Sequence, residues 1–311
     1  MQTSETSPTF DARDLNLKID REELKALYAV RPSRVMGAYI FEWIVIVATI
    51  ALADHYFHWW TYIPAVILIG SRMHALAIVM HDAAHFRFLR NRKLSDLITD
   101  VLACFPLLIN VDGYRRNHTQ HHQHLNTRDD PDWTAKADRP AFARPQTRWQ
   151  FLGRLALYLI GYQGIADARW MARRIGKDKK TGSQKRQMQL FYMLLFVALS
   201  VLGLWKQYLL FWIVPFFTSF MMFQYIRSFA EHFGDLEYGK LLKSTRTVKP
   251  FLIERVLIAP YNISYHLEHH LYPAVPFYNL PALHHLLMAD PGFSEQAHMT
   301  RGYFYGLLKE L

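Results

Sequence analysis

Residues 114–132 read Tyr-Arg-Arg-Asn-His-Thr-Gln-His-His-Gln-His-Leu-Asn-Thr-Arg-Asp-Asp-Pro-Asp, with four histidines in seven positions: His118, His121, His122 and His124. On a helix, positions i, i+3 and i+4 share a face with Cβ atoms about 5–6 Å apart. His118, His121 and His122 can therefore aim three imidazoles at one place. A neutral imidazole offers a nitrogen lone pair suited to zinc, copper or iron. For a single cluster the alternative is a run of solvated histidines. Two more clusters weaken it: His266, His269 and His270 repeat the same spacing, and His81 and His85 stand at i, i+4. Chance scatter does not give three such clusters in one chain.

His81-Asp-Ala-Ala-His85 has the histidine spacing of the zinc-protease signature, but Asp82 stands where that signature requires glutamate. A protease site also uses few ligands and would leave most of the histidines unexplained. Cys104 is the single cysteine, which excludes an intrachain disulfide, a thiolate zinc site and an iron–sulfur cluster. Carboxylates beside ligating histidines commonly accept the second ring N–H and fix the tautomer. Asp82, Asp130, Asp132, Glu231 and Glu268 are expected in that supporting role. For the aspartates around Pro131, a solvated turn is the alternative.

These groups need elements to hold them. The chain has 311 residues, 51% hydrophobic and 15% aromatic, with its apolar residues gathered into a few runs. A bilayer core of about 30 Å needs roughly 20 helical residues, and residues 35–54, 62–80, 188–205 and 207–226 are read as four spans. Glu42, Arg72 and His74 lie inside the first two, and Arg72 and His74 are expected to face protein rather than lipid. Residues 97–109 contain Asp100 and Pro106 and are too short to span comfortably, so they are expected to lie in the headgroup region, as is the amphipathic stretch 147–164. Residues 165–187 are basic and read as a cytoplasmic loop. The proline-rich run after His270 cannot be a regular helix. His284, His285 and His298 are expected at the surface of a soluble tail. Residues 1–33 form a polar arm without a visible signal peptide, with a short helix capped by Asp20, and residues 34–311 form a single domain. The net charge of +10 comes without a recognition helix or basic groove motif, so nucleic acid is not an expected partner. The positive-inside rule and anionic headgroups explain it more simply.

With four spans, crossing parity puts every cluster on one side. The His81 pair ends the second span, and the 118–124 cluster sits between the second and third. His232 ends the fourth, and the 266–270 cluster follows it. That side carries the basic loops and is read as cytoplasmic, with both termini. Nine histidines can then converge: His81, His85, His118, His121, His122, His232, His266, His269 and His270. A mononuclear site needs about four ligands, so nine argue for two metal ions.

Together these residues resemble the membrane fatty acid desaturase and hydroxylase superfamily. Its three histidine boxes are matched by His81-Asp-Ala-Ala-His85, His118-Thr-Gln-His-His122 and His266-Leu-Glu-His-His270, and Asp130-Pro-Asp132 and Leu271-Tyr-Pro273 also look like that family. The resemblance covers nearly the whole chain from about residue 35, including the four-span layout. It implies an all-α fold, an integral membrane four-helix transmembrane bundle with a cytosolic histidine-rich cap. It also implies two non-haem iron ions, dioxygen as oxidant, and hydrogen abstraction from a methylene of an acyl lipid. His232 stands where such enzymes place an additional ligand. His124, just past the second box, is expected beside the ligands. No donor domain is fused to the chain, so a separate ferredoxin-, rubredoxin- or b-type-cytochrome-like electron donor is implied. A second abstraction gives an alkene and oxygen rebound gives an alcohol, and no motif chooses between them. Carotenoid or isoprenoid hydroxylases and ketolases use similar boxes. A membrane metal transporter would need ligands through the bilayer, where only His74 lies well inside a span. A haem carrier would need histidines paired across spans.

Overall fold

The short helix α1 (Arg21–Leu27) starts at Asp20, whose carboxylate accepts the Glu22 and Glu23 N–H groups. In the computed structural model, α2 (Pro32–His55), α3 (Trp59–Ala84) and the helix Trp205–His232 are long and apolar enough to cross a bilayer. The structure describes residue 15 and residues 17–143, 145–175 and 182–311, with the side chains of 172–175 left aside. Most of the N-terminal arm before residue 17, and Lys177, Lys179 and Lys180 of the basic stretch, lie outside the described residues. α2 turns Ile40, Phe41, Ile44, Val47 and Leu52 outward, as lipid requires, whereas α3 is almost wholly buried from Ile69 to Ala84. Trp59 and Trp60 are exposed where α2 and α3 meet, the interfacial position that indole rings favour.

A bent pair follows α3. α4 (Arg92–Thr99) continues through a π turn at Asp100–Cys104 and a 3₁₀ turn at Phe105–Leu107, and the chain then bends by 85° into α5 (Val111–Gln123). Leu108 takes φ +67° at the corner, and the Asp100 carboxylate accepts the Val111 N–H at 2.7 Å. Irregular backbone at membrane depth must find partners within the protein. The carbonyls of Leu102 and Pro106 receive the indole N–H groups of Trp43 and Trp212, at 2.8 and 3.2 Å. Because α5 returns to the end of α3, with His118 Nε2 3.0 Å from His85 Nε2, the pair re-enters rather than crosses. The expected interfacial stretch 97–109 is its corner.

After α6 (Pro131–Thr134) come α7 (Arg148–Leu159) and α8 (Tyr162–Ile175). The basic stretch expected as a loop is thus helical to Ile175. Its inner face carries Gln163, Gly164 and Asp167, and Asp167 is gripped by Tyr158 Oη (2.6 Å) and Gln163 Nε2 (2.7 Å), whereas Arg169 is exposed on the outer face. α9 (Gly182–Leu202) covers the third expected span, but its apolar part from Leu190 to Leu202 is only about 20 Å long at 1.5 Å per residue. Among the described residues three helices are long and apolar enough on their own to cross a bilayer, and α9 has the length, 21 residues, but begins with a polar stretch that holds Lys185 and Arg186. The chain reverses at Gly203, φ +66°. The helix Trp205–His232 then comprises α10 (Trp205–Tyr208), π turns at Leu209–Ile213 and Phe216–Phe220, and α11 (Met221–His232). The second π turn packs so close that Cβ atoms at Gly70 and Gly164 would sit 2.0 Å from Ser219 Oγ and 1.9 Å from Phe217 O.

The remainder is β1 (Thr247–Lys249), α12 (Leu252–Leu257), α13 (His266–Leu271), α14 (Leu280–Met288), α15 (Pro291–Ser294) and β2 (Met299–Arg301). β1 and β2 pair in parallel, Thr247 opposite Met299. This part is not a loose tail: Leu267, Leu271, Leu283, Leu287 and Phe293 form a second apolar core over α13. Tyr272–Pro276 interrupts the helices as its prolines require, and Pro281 is tolerated in the first turn of α14, where no N–H is needed. The class is all-α, an integral membrane helical bundle with a polar cap.

Candidate metal centre

Helix ends deliver the histidines. His81 lies in the last turn of α3 and His85 caps it, His118, His121 and His122 line α5, His232 ends α11, and α13 supplies His266, His269 and His270. All nine fall into two groups. His81, His85, His118, His122 and His269 form one, and His121, His232, His266 and His270 form the other, the ligand atoms of each lying within 4.8 Å of one another. In the first, His118 Nε2 is 3.0 Å from the Nε2 atoms of His85 and His122, and His122 Nε2 is 3.0 Å from that of His269. In the second, His266 Nε2 is 3.0 Å from those of His232 and His270. The groups adjoin, with the His122 and His270 rings 4.3 Å apart at their centroids.

Burial is the main force on these rings. It lowers the pKa of His85 to about 3, aided by the charges of Arg87 and Arg115, and carries His266, His269 and His270 well below the usual imidazole value, aided by neighbouring histidines. These four rings are thus neutral, with lone pairs free. A ring nitrogen can donate one hydrogen bond or accept one, so a nitrogen set between two others at 3.0 Å is not satisfied by hydrogen bonding alone. His81 Nε2 is buried without any hydrogen-bond partner. A cation at each convergence point answers these lone pairs, and donor sets made wholly of imidazole suit iron, zinc or copper.

The carboxylates take different places. Asp130, fully buried, accepts His121 Nδ1–H at 2.8 Å and leaves Nε2 for the second group. Glu231 Oε1 lies 3.4 Å from His266 Nδ1 and accepts from Arg227 Nε at 2.7 Å. Glu268 is one step further out, bonded to His284 Nδ1 at 2.5 Å and Thr247 Oγ1 at 2.6 Å. Asp82 accepts the Phe277 N–H at 3.0 Å and so ties α3 to the turn before α14. Asp132 accepts Lys136 Nζ at 2.7 Å. His124 caps α5 and joins neither group, its Nδ1 buried without a hydrogen-bond partner. Of the three histidines expected on the surface, His285 is exposed, but His284 is buried against Glu268 and His298 bonds Glu310 at 3.0 Å. Their partners are distant in sequence, and no local pattern signals them.

Arg115 was not singled out by the sequence either. Its Nε and Nη2 donate to the carbonyls of Ala84 and Ala83 at 3.0 and 3.2 Å, and both Asp96 oxygens receive its Nη atoms. The guanidinium also lies 4.3 Å from the ring centroid of Phe86, which turns the chain with φ +59°. One side chain of α5 therefore caps α3 and fixes His85 against His118.

The family model for fatty acid desaturases matches residues 57–302, a stretch that takes in all nine histidines. This chain belongs to the fatty acid desaturase family. Among its relatives is the Dihydrorhizobitoxine desaturase of Bradyrhizobium elkanii, 31% identical over 306 residues, covering 93% of this chain and 85% of that protein. The sn-1 oleoyl-lipid 12-desaturase of Picosynechococcus sp. is 24% identical over 297 residues, 89% of this chain and 82% of that one. An sn-1 acyl-lipid omega-3 desaturase (ferredoxin) of Nostoc sp. is 29% identical over 126 residues, 40% of this chain and 34% of its own length. As a fatty acid desaturase family member the protein is an oxidoreductase of the membrane, and its histidine groups are able to bind metal.

Proposed function

We propose that the protein is a dioxygen-dependent desaturase whose two irons are held by the two histidine groups, five donors to one and four to the other. The observation that carries this is the pair of adjoining, carboxylate-free imidazole groups in a desaturase-family chain. Two bound irons would supply the reduction of dioxygen to water with two external electrons, while the substrate loses two hydrogens and gains a double bond. The chain's own residues prepare that chemistry. Asp130 holds His121 in the tautomer that leaves Nε2 free, Arg115 locks α3 to α5, and burial keeps His85, His266, His269 and His270 neutral. An acyl lipid is the favoured substrate, in keeping with the oleoyl-lipid relative and with helices long and apolar enough to lie among lipid chains. The electron donor is a separate protein, a ferredoxin by analogy with the Nostoc relative. The active site and both termini face the cytoplasm, as the basic residues favour.

The relative at 31% identity gives a second reading, in which the substrate resembles dihydrorhizobitoxine rather than a fatty acyl chain. One experiment separates the two. Lipids and small metabolites of a host expressing the wild type are profiled beside His121→Ala, and iron is counted in both purified proteins. A new double bond in acyl lipids with the wild type alone supports the first reading, and one in a small metabolite alone supports the second. Absence of iron from the wild type overturns both.

A further inference from the structure

Ser244, Thr245, Arg246 and Thr247 are each 0% exposed, although they form a polar, non-helical strap that leads from α11 into the first residue of β1. Buried backbone and hydroxyl groups must be bonded, and the partners of this strap are specific. The Ser244 carbonyl accepts Asn126 Nδ2 at 2.5 Å, and the Asn126 backbone N–H donates to Asp130 Oδ2, the oxygen that also holds His121. Thr245 Oγ1 donates to the Glu231 carbonyl at 2.7 Å, one residue before His232. Arg246 donates to the Phe233 carbonyl, one residue after it, and to Glu310. Thr247 Oγ1 donates to Glu268 Oε2 inside α13, and Val248 N–H donates to the Ser264 carbonyl at 2.9 Å.

The strap therefore grips all three elements that feed the second histidine group: the end of α5, the end of α11, and α13. α3, which brings His81 and His85 to the first group, is held instead by Arg115 and by the bond from Phe277 N–H to Asp82. The donor count sharpens the contrast. If α11 and α13 shift, the first group keeps His81, His85, His118 and His122, whereas the second keeps His121 alone. We propose that Ser244–Thr247 is a positioning strap that assembles the second metal site, so that loosening it empties that site while the first stays filled. The proposal rests on the two-metal reading above.

The test uses the full-length purified protein, stripped and then titrated anaerobically with ferrous iron or cobalt(II). Metal per chain is counted, and the cobalt spectrum reports each site. The variants are Thr247→Val and Thr245→Val, near-isosteric losses of one hydroxyl each, and Thr247→Ser, which restores the hydroxyl. The expected result is two ions in the wild type and Thr247→Ser. The valine variants should keep one ion at wild-type affinity, with the other weakened about 10–100-fold, the range for lost outer partners. The retained ion is the internal control for folding. Two tightly held ions in both valine variants, or equal loss of both ions, overturns the strap proposal. Fewer than two ions in the wild type overturns the two-metal reading itself.

Discussion

Asp130→Asn tests how the centre sets the protonation of its own ligands. The Asp130 carboxylate accepts four hydrogen bonds: His121 Nδ1 (2.8 Å) and Asn126 N (2.9 Å) at one oxygen, Asp132 N (2.8 Å) and Trp133 N (3.1 Å) at the other. Asparagine keeps one acceptor. With that oxygen capping α6, its NH₂ faces two donors. His121 can relieve the conflict only by accepting at Nδ1, which moves its proton to Nε2, the nitrogen left for the second group. A hydrogen bond to a charged partner contributes about 1.5–3 kcal/mol, and each 1.4 kcal/mol is a factor of about ten in affinity. Metal affinity of the second group should fall about 10–100-fold, with the first group little changed. Titration of the stripped protein with cobalt(II) against a competing chelator measures both constants. Wild-type affinity at both sites would refute the tautomer argument, and so would equal weakening of the two.

Arg115→Ala frees two carbonyls at the end of α3 and should lower stability by at least about 2 kcal/mol in a detergent thermal melt, with Arg115→Lys recovering only part because an ammonium lacks the fork. Full recovery by lysine would show that charge alone matters. Gly70→Ala should cost about 1–3 kcal/mol, because its Cβ would meet the Phe220 backbone nitrogen at 2.6 Å, whereas Gly153→Ala, with nothing within 4 Å, should be neutral or stabilising by up to about 1 kcal/mol. Melts that rank the two alanine variants alike would contradict that packing. Burial opposes ionisation of Glu310, but the His298 hydrogen bond and the Arg246 charge outweigh it and hold its pKa below the usual carboxylate value. Its contribution is therefore present above that usual value and lost as pH falls through the lowered one. Glu310→Gln should be the less stable protein at neutral pH, with the gap closing in acid, and a gap that widens in acid would contradict the assignment.

The histidine pattern was legible because i, i+3 and i+4 spacing is a local property of one helix, and the apolar runs marked α2, α3 and the final span for the same reason. Other features escaped because they are not local. The basic residues after 165 read as loop, but burial of Gln163 and Asp167 makes that stretch a two-faced helix. His284 and the strap bond partners 13 to 118 residues away, and a buried threonine looks no different in sequence from an exposed one. Nor could spacing divide the boxes, since α5 and α13 each serve both groups.

The two π turns of the helix Trp205–His232 have a consequence for how that helix tolerates a change of length. A π turn holds one residue more than the α-helical count, and each residue in a helix is worth about 100° of rotation and 1.5 Å of rise. A deletion between Met221 and His232 would swing His232 to another face of the helix. A deletion at Leu209–Ile213 would only tighten that turn to α geometry and leave the downstream phase intact. The second π turn has no such freedom, because Gly70 and Gly164 are moulded to its bulge from two sides. Of the two surplus residues, one is a reserve of length, and the other is locked in place by its neighbours.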